Sequence, residues 1–447
     1  MGIFVSTDAF IEEGNSTEIR NFEEQMGLKE APTLGIPIED FLIKNSSSIQ
    51  TLVNEFEQKL KDLSNGTLSY EIVSPWVKEY AERLWTNAME YVQGGANDDR
   101  PLYWARIKME VALKNHFKSQ MNGTSVIENT ELSRLIQLFE EKSRNYTGID
   151  FTDIPESKKK ILITGFDPFD LDYKPEQNNP SGIVALALHG KTIKDEYGNE
   201  GFIQTTIFPV RYQDFDNEVV EKVVTPLLQN NVVNYIISLS LNGSAFYFDL
   251  ERFAVKKRGG FMDNMNIGSI KYLKYTNVNY KLFKSDIGKG NNYYETTLPI
   301  NKIVTKSIAN NFLSIGQRVF FDQSYGIDDE NFIVEHPIVR AIDNTVYNTN
   351  EKSFGESDIQ VENMMVGSGG DYLSNEIFYR ISRARENTNT TVQTGHYHVA
   401  NPSGELPSGI LIRHPDLGRL INSSTYQRFT QAEILQEIER VIKQIIK

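Results

Sequence analysis

Cysteine is absent from this chain of 447 residues. That excludes disulfides, thiolate metal centres and thiol nucleophiles, and leaves the redox compartment unreadable. An excess of basic charge is missing as well: 46 Lys and Arg stand against 60 Asp and Glu, for a net charge of -14. Nucleic-acid affinity rests on neutralising phosphates, so no nucleic-acid partner is expected, and the triple lysine at 158–160 is too short to alter that. No apolar run approaches the roughly 18 residues of a membrane span, and no basic-then-apolar secretory block opens the chain. The reading is therefore a protein without a membrane partner, cytoplasmic in location. The opening MGIFVS fits the short myristoylation pattern, and Asn15, Asn65, Asn122 and Asn145 begin Asn-x-Ser/Thr triplets. The first pattern is weak and carries meaning only in a eukaryotic host, and the triplets arise by chance in a chain rich in asparagine.

What is present is an ordinary globular composition, 39% hydrophobic and 24% charged, with length enough for two or more domains. The first 150 or so residues read as helical and hold all three tryptophans, Trp76, Trp85 and Trp104. In SSIQTLVNEFEQKLKDL the apolar residues Ile49, Leu52, Val53, Phe56, Leu60 and Leu63 recur at helical spacing, and TELSRLIQLFEEKSRNY repeats the pattern with Leu132, Leu135, Ile136 and Phe139. After TDIPESKKK the texture changes. KILITGF, GFIQTTIFPV, VVNYIISLSL, IQVENMMVGS and TTVQTGHYHVA predict strands, while SGIVALALHG, DNEVVEKVVTPLLQ and AEILQEIERVIKQII predict helices between or after them. This alternation predicts a three-layer α/β/α sandwich, its twisted sheet mostly parallel or mixed, preceded by an α-helical N-terminal domain. The expected division is 1–157 and 158–447, with a polar insertion at about 318–358.

Within GGDYLSNEIFYR (369–380), a glycine turn leads into Ser374 at the start of a helical pattern carried by Leu373, Ile377 and Phe378. A helix N-terminus offers unpaired N–H groups and partial positive charge, so a nucleophile there is helped with developing negative charge. The plain alternative is a serine that caps the helix. His396 and His398 are two apart on a predicted strand and so share a face, a spacing that metal sites use. No acidic ligand pattern stands beside them, so no metal and no cofactor are expected. His116, His189, His336 and His414 are scattered through the chain and read as surface or structural residues.

The segments ILITGFDPFD, NNPSGIVALAL, FPVRY, LERFAV, YYETTLPINKIV, GGDYLSN and GHYHVANP follow one another in that order. On these motifs residues 158–447 resemble the pyroglutamyl peptidase (pyrrolidone-carboxylate peptidase) family, and the resemblance covers about two thirds of the chain. It implies a Glu–Cys–His triad falling on Glu251, Ser374 and His398, with serine standing where the family has cysteine. It also implies that Phe166 and Phe169 clasp a flat pyroglutamyl ring, with core packing as their plain alternative. The implied activity is hydrolysis of an N-terminal pyroglutamyl or related lactam amide on a small peptide.

The serine changes the chemistry. A Cys–His pair can stand ready as a thiolate, whereas a serine must lose its proton to histidine during attack. Three readings stay open: a serine variant that hydrolyses, a silent member kept for binding or homo-oligomeric self-assembly, and a cysteine enzyme whose nucleophile has been replaced. The family's oxyanion arginine has no direct counterpart, since the segment here is KKRGGFMDN. Arg258 is the substitute candidate, with a solvated charge as the alternative. Phe246, Tyr247 and Phe248, just before Glu251, are positioned to cover or fill a pocket.

Overall fold

The computed structural model describes residues 20–31, 35–63, 69–120, 130–242, 248–258, 261–268, 287–304, 372–402 and 429–447. Short strands at 313–316, 320–321, 341–342, 345–346, 364–366, 411–413 and 420–422 are also described. The MGIFVS opening, the turn at 369–371, Phe246, Tyr247, His336, His414 and most of 318–358 lie outside these residues.

Among the described residues six helices come first: α1 (Phe22–Met26), α2 (Ile38–Ile43), α3 (Ser47–Asp62), α4 (Tyr70–Gln93), α5 (Arg100–Gln120) and α6 (Thr130–Ser143). The spacing read from sequence is the buried face: Ile49, Leu52, Val53, Phe56 and Leu60 on α3, and Leu132, Leu135, Ile136 and Phe139 on α6. Local chemistry sets the ends. Asn21 and Glu24 close a capping box on α1, and the Ser46 hydroxyl accepts the Ile49 amide at the start of α3. No helix among the described residues is long and apolar enough to cross a membrane.

Among the described residues the remainder is built on a seven-stranded sheet. Its strands are β1 (Lys159–Phe166), β2 (Thr192–Lys194), β3 (Glu200–Phe208), β4 (Tyr235–Leu241), β5 (Phe248–Glu251), β8 (Leu313–Gly316) and β13 (Gln393–Val399). A two-stranded sheet pairs β6 (Phe253–Val255) with β7 (Tyr293–Glu295). The short β9 (Phe320–Phe321) pairs with β12 (Met364–Val366), β10 (Ala341–Ile342) with β11 (Thr345–Val346), and β14 (Leu411–Arg413) with β15 (Leu420–Asn422). The central order is β2-β3-β1-β4-β13-β5-β8, with β3, β1, β4 and β13 mutually parallel, β2 antiparallel to β3, β5 antiparallel to β13, and β8 parallel to β5. Of the strand expected over 359–368, only Met364–Val366 is among the described residues, and it pairs with β9 outside the central sheet. Beside β13 stands β5, a four-residue strand too short to announce itself by periodicity.

Alternation along β1 and β4 separates two cores. Ile161, Ile163, Ile237 and Leu239 face α7 (Pro180–Leu188) and α12 (Gln431–Ile445). Leu162 and Ile236 face α9 (Val219–Gln229) and α11 (Leu373–Thr388). The short α8 (Tyr212–Asp216) adds Tyr212 and Phe215 to that second core, and α10 (Ile300–Val304) adds Ile303 to the first. This is the α/β/α sandwich with a mixed sheet, preceded by helices.

One helix explains how the two halves meet. Every residue of α7, PSGIVALAL, is buried. A helix apolar all round must be covered all round, and α7 lies between the sheet and the N-terminal helices. Ile183, Ala185, Leu186 and Ala187 pack with the core of α3–α6, while Val184 and Leu188 pack on the sheet. The start of α7 is pressed against β1 so closely that a Cβ on Gly165 would lie 2.4 Å from the Ser181 carbonyl oxygen. The Asn179 side chain caps α7 by accepting the Ser181 amide at 3.1 Å and donates to the Asp167 carbonyl at 2.8 Å. The turn after β1 is thereby tied to the helix that follows it.

Candidate active site

Two of the residues singled out from sequence meet directly. Nδ1 of His398 and Oε1 of Glu251 are 2.6 Å apart, although the residues are 147 positions apart in the chain. The contact is a product of strand pairing. In the antiparallel ladder of β13 and β5, His396 lies opposite Glu251 and His398 opposite Asp249, so the Glu251 side chain reaches His398 diagonally. Glu251 is 1% exposed and His398 7%. The second glutamate oxygen, Oε2, is buried without a hydrogen-bond partner. An acid bonded to Nδ1 sets the tautomer that leaves Nε2 as the proton acceptor.

Ser374 lies in the first turn of α11, the second residue of the helix, and is buried. It is not the cap: Tyr372 occupies that position with extended backbone and no side-chain cap bond. The capping alternative is therefore corrected; the helix begins two residues earlier than a Ser374 cap requires. Neighbouring side chains fasten this turn to the segment after β5. Asn375 accepts the Val255 amide at 2.9 Å and donates to the Val255 carbonyl at 2.8 Å. The Tyr372 hydroxyl donates to the Met262 carbonyl at 2.8 Å.

Arg258 is buried, which corrects its reading as a solvated charge. Its Nε donates to Glu376 Oε2 at 2.6 Å, its Nη2 to Glu376 Oε1 at 2.5 Å and to Asp216 Oδ1 at 2.7 Å. Burial alone would weaken its hold on the proton, but Glu376 and Asp216 more than offset this and raise its pKa. Because Glu376 is two residues beyond Ser374, Arg258 is anchored in the same first turn. Arg380 also binds Glu376, at 2.7 Å.

The two phenylalanines part company. Phe166 is in the core with Leu373 and Ile377, and its ring stacks on Phe215 at 6.2 Å and 8°. Phe169 is half-buried, 6.3 Å from the Tyr372 ring. Tyr372 in turn packs edge-on with Phe261 and Tyr212. Phe248 packs on Tyr397 and Phe429 in the α12-side core, the opposite face of the sheet from His398, so it does not plug this site.

His396 was a candidate for metal pairing with His398. Its Nδ1 is 2.8 Å from the Ser238 hydroxyl and its Nε2 2.8 Å from the Ser240 hydroxyl, so both ring nitrogens are engaged. Burial, and then the neighbouring His398, push its pKa well below the usual histidine value. Among the described residues no cluster of His, Asp and Glu has the makings of a metal site. Ser238 and Ser240 escaped the sequence reading, and SLS in a strand is a thin signal. The same holds for Asn375, whose role is visible only once α11 and β6 are brought together.

Comparison with known proteins places these residues in context. A family profile described as "PA0049 N-terminal domain" matches residues 11–140, and one described as "PA0049, C-terminal domain" matches residues 160–278. The second includes Phe166, Phe169, Glu251 and Arg258 and stops short of Ser374 and His398. The chain is 28% identical over 219 residues to "Uncharacterized protein PA0049" of Pseudomonas aeruginosa, a match covering 44% of this chain and 39% of that protein. The chain thus matches well under half the length of that curated relative. Among solved structures, pyroglutamyl peptidase I of Bacillus amyloliquefaciens is similar over 65% of this chain and 97% of its own, at 16% identity and a TM-score of 0.39. A mutant pyrrolidone carboxyl peptidase from Pyrococcus furiosus is similar over 64% of this chain and 97% of its own, at 19% identity and a TM-score of 0.39. The pyrrolidone carboxyl peptidase of Thermococcus litoralis is similar over 64% and 93% at 18% identity and a TM-score of 0.37.

Proposed function

We propose that this chain is a hydrolase of amide bonds in which Ser374 is the nucleophile, His398 the base and Glu251 the orienting acid. The substrate would be a small peptide with an N-terminal pyroglutamyl or related lactam group. The observation that carries the reading is the buried Glu251–His398 bond at the end of β13. Register supports the third member. Residues 389–392 alone join α11 to β13, so helix and strand run antiparallel, and Phe378 stacks over His396 at 6.2 Å. Four residues back from Phe378, about 6 Å along the helix, is Ser374; two residues on from His396, about 6.6 Å along the strand, is His398. The two steps run the same way and are nearly equal, which carries the serine toward the histidine.

In this reading the Ser374 oxygen attacks the exocyclic amide carbonyl while Nε2 of His398 takes its proton. The same proton passes to the departing amine, leaving an acyl ester on Ser374. Water then attacks the ester with His398 again as base, and the serine regains its proton. Backbone N–H groups of the first turn of α11 are the natural oxyanion donors.

A second reading, a silent member of the fold kept for binding or self-assembly, is favoured by the Phe166 ring being spent in the core stack with Phe215. A fluorogenic pyroglutamyl amide separates the two when assayed with wild type, Ser374→Cys and Ser374→Ala. Turnover by wild type and the cysteine variant, abolished in Ser374→Ala, is expected. Turnover by Ser374→Cys alone indicates a silenced enzyme, and turnover by none supports the binding reading.

A further inference from the structure

The turn after β1 is held from outside the α/β sandwich. Arg106 on α5 donates from Nη1 to both oxygens of Asp167, at 3.0 and 3.2 Å, and Arg144, just past α6, donates to Asp167 Oδ2 at 2.5 Å. All three side chains are buried. Each arginine is itself braced: Arg106 by the Ser143 hydroxyl at 3.0 Å and the Ser143 carbonyl at 3.3 Å, Arg144 by Glu140. Further along the same turn, Lys29 donates to the carbonyls of Leu171 at 3.3 Å and Asp172 at 2.6 Å. Asn264 donates to the Pro168 carbonyl at 2.9 Å, and it lies in the grip of Glu23 at 3.0 Å and Tyr103 at 3.2 Å. Polar groups of the N-terminal helices thus bind the turn that carries Phe169. They also bind the 261–267 loop, which receives the Tyr372 hydroxyl two residues before Ser374.

Replacing a buried ion group with apolar side chains is often neutral or stabilising, so such a group is poor evidence for a stabilising role. What a doubly held carboxylate supplies is direction. We propose that Arg106 and Arg144 are positioning residues. By clamping Asp167 they hold the 167–172 turn, and with it Phe169, against the α11 start, so the N-terminal helices form a wall of the site.

The test compares wild type with Arg106→Lys and with the charge-balanced double variant Arg106→Leu/Asp167→Leu, which leaves Arg144 paired with Glu140. Hydrogen exchange, followed by mass spectrometry on the full chain, reads the 167–173 and 261–268 segments without needing any activity. Exchange there is expected to speed at least about tenfold in the double variant, with β1 and β4 unchanged. An intermediate effect is expected in Arg106→Lys, because a single ammonium cannot serve Asp167 and Ser143 together as the guanidinium fork does. The kinetic half rests on the hydrolase reading: KM for the lactam amide should rise several-fold with kcat nearly constant, and Lys should restore more than Leu. A protein with no turnover removes only this half. Wild-type exchange in a folded double variant overturns the proposal, and so does failure of both variants to fold, which would make the cluster a stabilising element.

Discussion

Glu251→Gln separates a catalytic carboxylate from a structural one, because the two roles predict different pairs of outcomes. In the folded protein Oε1 binds His398 Nδ1 at 2.6 Å, while Oε2 is buried with no partner. Losing a charge-assisted hydrogen bond costs about 1.5–3 kcal/mol, and the amide oxygen retains part of it. Relieving a buried charge of an unsatisfied oxygen returns about 1–3 kcal/mol. The two nearly cancel, leaving stability within about 1.5 kcal/mol of wild type, a shift in Tm of a few degrees at roughly 2–4 °C per kcal/mol or less for a chain of this size. Catalysis has no such offset. The amide carries no charge to stabilise the imidazolium and can offer its NH2 to Nδ1, which fixes the wrong tautomer. The equivalent change in a Ser-His-Asp triad lowers kcat about 10⁴-fold. Thermal unfolding by circular dichroism and turnover of a fluorogenic pyroglutamyl amide are the paired assays. A Tm lowered by more than about 10 °C, or turnover within about tenfold of wild type, would refute the reasoning.

Three further outcomes are expected. Phe166→Ala should lose about 3–5 kcal/mol of stability in urea unfolding, as large aromatic deletions in cores do, whereas Phe169→Ala should leave unfolding nearly unchanged and raise KM; the reverse ranking would move Phe166 out of the core role. Burial pushes the Asp263 carboxyl up to about 7 despite amide donors from Ile267, Tyr212 and Met265, so the folded state holds this proton more tightly than the unfolded chain. Its contribution is therefore fullest below about pH 4 and is lost as the pH rises through about 7. The stability difference between Asp263→Asn and wild type should accordingly shift toward the variant between about pH 4 and pH 7; a shift the other way rejects the assignment. Limited proteolysis is expected to cut at the exposed 152–158 connection, and the two fragments should co-elute on size exclusion because α7 is covered by both.

Periodicity alone carried the layered architecture. Ile49 to Leu60 on α3, the alternating β1 and the wholly apolar PSGIVALAL state which faces must be covered, because burial is written locally into spacing. The same local signals brought Ser374 to a helix start and His396 and His398 to one face of a strand. What they could not contain was pairing between distant segments. β5 is too short to read as a strand, yet its place against β13 is what delivers Glu251 to His398. Arg258 reads as one of three cations in KKR until α11 supplies Glu376 and removes it from solvent. Phe166 and Phe169 are alike as letters, and only the position of Phe215 behind one of them assigns that ring to the core. His396 is likewise a ligand candidate until β4 presents Ser238 and Ser240 to its two nitrogens. In each case the deciding partner is remote in sequence, and a side chain's role follows from the dielectric and hydrogen-bond surroundings that only the folded chain assembles.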